Sequence, residues 1–183
     1  MKINLYALRA IYLHEMDRFR RTLTQSVLSP VLTTSLYFIV FGSVIGGYVE
    51  KIDGISYGSY IVPGLLMLTL LTQSISNTSF GIFFPKFNGT IYEILAAPIS
   101  TLEVVLAFVG AGATKTLIVS IIIFITSLFF VDVQVKYPLL MIFLLILVAF
   151  TFALFGFLIG LMSSDFEQMS IIPTLFVTPM VFL

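Results

Sequence analysis

Five long apolar runs, separated by short polar breaks, organise the 183-residue chain. They lie at about 27–48, 57–77, 102–131, 139–162 and 171–183. Within each run the apolar positions are continuous rather than alternating, which predicts helices and not barrel strands. A helix needs roughly 20 such residues to cross about 30 Å of hydrocarbon, where backbone groups find no water. The run at 139–162 carries no charge, and the run at 102–131 would extend about 45 Å as a helix. The fifth run holds about 13 residues, too few to cross. It reads as an incomplete span, in a partial chain or in one that another subunit completes. The pattern predicts an all-α membrane protein, a polytopic bundle of five apolar segments.

Three of the breaks are brief. Glu50, Lys51, Asp53 and Gly54 mark one, Asp132, Lys136 and Pro138 another, and Ser163, Ser164, Asp165 and Glu167 a third. The break at 80–100 is long, mixed in character and punctuated by Pro85, Gly89 and Pro98. Ahead of the first run, residues 1–25 have a different period. Leu5, Leu8, Tyr12, Met16, Phe19 and Leu23 recur at steps of three or four, with Arg9, Glu15, Asp17, Arg18 and Arg21 on the other side. This predicts an amphipathic interfacial helix with Arg9, Arg18, Phe19 and Arg21 as anchors toward anionic headgroups. Its role is either a surface anchor or a lever between a cytoplasmic partner and the first span. The chain thus divides into residues 1–25 and a transmembrane domain at 26–183.

Charge fixes an expected orientation. Lys2, Arg9, Arg18, Arg20 and Arg21 all precede the first span, so the N-terminus is expected in the cytoplasm, with 78–101 on the same side. Hydrophobic residues make up 59% of the chain and charged residues 10%, too few polar groups to cover a soluble domain. There is no cysteine and a single histidine, His14, so thiolate chemistry and histidine metal clusters are excluded. No basic tract interleaved with aromatics suggests nucleic-acid binding.

Gly110 to Thr116 looks like a phosphate loop, but Thr114 stands where glycine must precede the lysine. Lys115 lies inside an apolar stretch, where an unpaired charge is unfavourable. It either snorkels to headgroups or lines a translocation path. Gly42 with Gly46, and Gly156 with Gly160, have the spacing that lets helix backbones approach closely.

Within the long break, residues 90–97 read as a short amphipathic helix. Thr90 and Glu93 have capping-box spacing, Pro98 stops the helix, and Ile91, Ile94 and Leu95 form an apolar face. Such a face at a membrane surface meets headgroups or a protein groove. From here the sequence resembles the permease subunits of type-two ATP-binding cassette exporters. The resemblance rests on Gly89, Thr90, Ile91, Glu93, Leu95, Ala97, Pro98, Ile99 and Ser100 in this loop. It extends to 36–42, to 60–65, to Arg18, Phe19 and Arg21, and to 173–183.

The resemblance implies a cytoplasmic coupling helix. Gly89, Thr90, Ile91, Glu93, Ile94, Leu95 and Pro98 would engage a separate ATPase subunit. It also implies a second permease copy, a bacterial plasma (inner) membrane location, and no catalytic, cofactor-binding or metal-binding residues in this chain. The competing readings are an ion- or proton-coupled transporter, which needs carboxylates near mid-membrane, and a structural subunit of a membrane complex.

Overall fold

The computed structural model describes residues 4–45, 54–131, 133 and 135–182. The expectations placed on Lys2, Gly46, Glu50, Lys51, Asp53, Asp132 and Leu183 fall outside them. The fold is all-α. Helix α1, Leu5–Arg21, is followed by α2, Leu23–Tyr37, which continues as a π-helical segment, Phe38–Ile45. Then come α3, Tyr57–Phe87, the short α4, Ile91–Ala96, and α5, Thr101–Ser127. Helices α6, Pro138–Met162, and α7, Phe166–Phe182, complete the described chain. Among the described residues, four helices are long and apolar enough to span a bilayer: Leu23–Phe41, Tyr57–Phe87, Thr101–Ser127 and Pro138–Met162.

The bundle is built on α3, which packs most extensively against α6 and then α5. Small residues bring the backbones together. On α6, Ala149, Ala153, Gly156 and Gly160 are all buried. A β-carbon at Gly156 would run into the backbone of Ile75, and one at Gly160 would meet Ser79 and Ile82. Gly112 of α5 is likewise pressed against Thr78. In lipid, where exposed side chains gain nothing from leaving water, this close approach supplies the dispersion contact that holds helices together.

Helix α3 corrects the expected loop boundary. Its 31 residues extend about 46 Å and pass through Pro85, so the break expected at 80–100 starts only after Phe87. The helix continues because Gly81, Ile82 and Phe83 are buried against its neighbours, which offsets the bond lost at the proline. It ends where Gly89 turns the chain at φ 79°.

The expected capping box at Thr90 is also corrected. Thr90 already has helical backbone angles and makes no side-chain cap; its hydroxyl turns back to the Pro85 carbonyl at 3.4 Å. The box forms ten residues later. Ser100 is extended, accepts from the Glu103 N–H at 3.3 Å, and donates its own N–H to Glu103 Oε2 at 2.9 Å. A cap needs extended backbone at the capping residue, and the Gly89 turn denies that to Thr90.

Candidate functional site

The end of the bundle that holds α4 gathers the N-terminus of α5, the C-termini of α3 and α6, and α1. Helix α4 divides its side chains between two environments. Ile91 and Ile94 pack inward against a core containing Val104 and Phe108 of α5, together with Ile11 of α1 and Ile99. Tyr92 and Leu95 point out, 73% and 67% exposed, and Glu93 and Pro98 are exposed beside them. The expectation that Ile94 shares an outward face with Leu95 is therefore corrected. With only six residues, the helix splits neighbouring positions about 100° apart, and the core takes the isoleucines.

Helix α1 lies along α5 in parallel register, about 100 positions earlier in the chain. The Asn4 N–H donates to Glu103 Oε1 at 2.5 Å, and Tyr12 Oη donates to Thr114 Oγ1 at 3.1 Å. One turn on, Lys115 Nζ meets Glu15 Oε2 at 2.7 Å. Both of these side chains are buried, 3% and 2% exposed. Arg18 joins the same carboxylate oxygen at 2.9 Å and sits over the Phe84 ring at 5.9 Å.

This overturns both readings of Lys115. It neither snorkels nor faces an open path; it is neutralised inside the protein. Glu15 belongs to the buried face of α1, not to the polar side the sequence assigned it. Phe19 is buried with Glu15, in a core formed with Phe38, Val62, Leu66, Val119 and Ile123, while Arg9 and Arg21 remain exposed.

A signal for Glu15 exists in the sequence. On a helical wheel it lies about 20° from Leu8 and about 40° from Phe19, at the edge of the apolar stripe rather than opposite it. A lone lysine in a span also requires a carboxylate somewhere in the chain.

A third junction ties the ends of α3, α6 and α7. Lys86 Nζ donates to the Leu161 and Ser163 carbonyls at 2.6 and 2.8 Å, capping the C-terminus of α6. Phe166 sets its ring edge against Phe83 and Phe87, with centroids 4.9 Å away in each case.

Helix α2 packs one side on α5, with Val27 and Val31 against the core that holds Val119 and Ile123, and leaves its other side uncovered by the described residues. Leu28, Leu32 and Leu36 are at least half exposed. An open groove of about 480 Å³ runs along it, lined by Thr24, Gln25, Leu28, Ser29, Leu32 and Thr33. Among the described residues no three acidic or histidine side chains converge. What these contacts offer is mechanical: a presented helix, a clamped one, and a span with an uncovered face.

The sequence matches the family described as ABC-2 type transporter over residues 6–183. It is 38% identical over 177 residues to the inner membrane transport permease YadH of Escherichia coli (strain K12). That alignment covers 97% of this chain and 69% of the relative. The permease of the same name from Shigella flexneri matches with the same identity and coverage. No solved structure matches significantly.

Proposed function

This chain belongs to the ABC-2 type transporter family and is a transmembrane permease subunit of an ABC transporter, and from that premise we propose how its parts work. It acts in export across the bacterial inner membrane, with its N-terminus and α4 on the cytoplasmic side. Residues 1–25 are the cytoplasmic connecting unit and 26–183 the transmembrane unit. A separate ATPase subunit binds and hydrolyses the ATP.

The outward face of α4 carries this reading. Tyr92 and Leu95 are large side chains exposed in the loop, and on the cytoplasmic side they would stand in water. Covering a leucine or an aromatic of this kind contributes about 1.5–3 kcal/mol each, so a groove on a partner protein is the favoured place for them. Gly89 and Pro98 bound the helix, and Glu93 offers the partner a charge. Ile91 and Ile94 carry any displacement of α4 into α1 and α5 through the core they share with Ile11, Val104 and Phe108. Hydrolysis on the partner thus becomes movement of spans. A second permease copy covers α2, and the Gln25, Ser29 and Thr33 edge of its groove faces the path between the two copies. The amphipathic α1 presents Arg9 and Arg21 to lipid headgroups.

Capture of the ATPase from detergent extracts tests this. Leu95→Asp and Tyr92→Asp are each expected to lower the ATPase retained by about tenfold, the equivalent of about 1.4 kcal/mol. Undiminished capture by both variants sinks the docking role of α4.

A further inference from the structure

The buried ion pair between α1 and α5 has no part in docking, and it is placed where docking must be converted into span movement. We infer that Glu15 is a positioning residue: through Lys115 it clamps α1 onto α5, so that displacement of α4 moves α1, α5 and the attached α2 as one body. The transmission half of this inference rests on the proposed role of α4; the clamp itself does not.

The geometry favours a clamp over a chance contact. Glu15 is nearly inaccessible, and its carboxylate is backed by Gly81 of α3. A β-carbon at Gly81 would lie 3.3 Å from Glu15 Oε2. The missing side chain makes room for the carboxylate in the seam between three helices. Lys115 approaches from α5 and Arg18 from the next turn of α1, and both meet the same oxygen, Oε2. Glu15 Oε1 has no hydrogen-bond partner among the described residues.

A buried charge set of this kind is poor at adding stability compared with apolar packing. It is good at fixing one register, because a shifted α1 would leave Lys115 uncompensated. The Asn4 and Tyr12 bonds to α5 lie on the α4 side of the pair, and the Thr22 junction to α2 lies just beyond it. What α4 delivers along α1 reaches α2 past this point, and the clamp keeps it in step with α5, on which α2 also packs directly through Val27 and Val31.

Spin-label distances test both halves. The chain has no cysteine, so labels enter at engineered sites alone. A Leu13→Cys and Leu106→Cys pair, on exposed positions of α1 and α5, reads the clamp in the permease without its ATPase. A Leu32→Cys and Leu158→Cys pair, on α2 and α6, reads transmission in the reconstituted complex with and without ATP.

The expected result is a single narrow α1–α5 distribution in the parent protein. Glu15→Gln and Lys115→Gln broaden it, and Glu15→Asp restores it at least in part. In the complex, Glu15→Gln keeps its ATPase but loses the ATP-driven change at α2, and Glu15→Asp recovers it. A merely stabilising role would alter melting and leave both distances as they were. The inference is overturned if Glu15→Gln and Lys115→Gln retain the narrow distribution, or if the ATP-driven change survives them. Should Glu15→Gln fail to fold, Lys115→Gln decides. If the parent permease holds no ATPase, the proposed role of α4 falls, and the α1–α5 distances still decide the clamp.

Discussion

Glu15 and Lys115 are not equivalent partners, and the difference is measurable. Glu15 has two cations on one oxygen, whereas the only ion-pair partner of Lys115 among the described residues is Glu15. Glu15→Gln strands a buried ammonium, at about 3–5 kcal/mol. Lys115→Met leaves the carboxylate still neutralised by Arg18 and replaces the lysine stem with a similar apolar volume. Thermal unfolding in detergent should therefore show the larger loss for Glu15→Gln; equal or reversed losses would mean that Arg18 does not share the charge. At the other junction, Lys86→Met removes two charge-assisted bonds to the end of α6, at about 1.5–3 kcal/mol each before solvent exposure of the amine discounts it. The same melts should register a smaller loss there than at Glu15.

At the scale of elements, α3 and α6 meet where neither has a side chain to spare. Gly156→Val would place methyl groups where the Ile75 backbone already lies, so the helices must separate. Overpacking of this kind costs about 1–3 kcal/mol, and more where backbone cannot yield. Gly64 has no neighbour near its β-carbon position, so Gly64→Ala should be neutral or better by unfolding midpoint, within about 1 kcal/mol. The start of α5 offers a finer test. Ser100→Ala removes the cap whose partner, Glu103, also receives the Asn4 N–H. The loss should be about 1 kcal/mol and should raise amide exchange in the first turn of α5. Thr90→Ala should do neither, because its hydroxyl makes no cap on α4 and only a long, exposed bond to the Pro85 carbonyl.

For the whole molecule, the helix order places Asn88 and Lys136 at opposite ends of the bundle. With no native cysteine, Asn88→Cys is expected to react with a membrane-impermeant maleimide only after permeabilisation, and Lys136→Cys in intact cells. The reverse pattern would invert the proposed orientation. The uncovered side of α2 makes a further demand at this scale. Leucines at 28, 32 and 36 lie on the side of α2 that the described residues leave open, beside the polar edge of Gln25, Ser29 and Thr33. Lipid can cover the leucines, but a polar edge in hydrocarbon is unfavourable unless another protein or water meets it. Leu32→Cys should crosslink to its own copy under oxidation if a second permease lies there.

The sequence alone settled that this chain is helical and membrane-spanning, because hydrocarbon leaves an apolar run of about 20 residues few other ways to satisfy its backbone. It also pointed to a short helix in the long break, and through that loop to the family. Tertiary structure decided which side of each amphipathic helix is inside. Glu15 and Ile94 both turn inward, and the cap falls on Ser100 rather than Thr90. Helical period narrows the inward direction only to a broad stripe, about 100° wide. The choice within that stripe belongs to contacts such as Glu15 with Lys115, made across 100 residues of chain. A local pattern holds no record of what arrives from so far away.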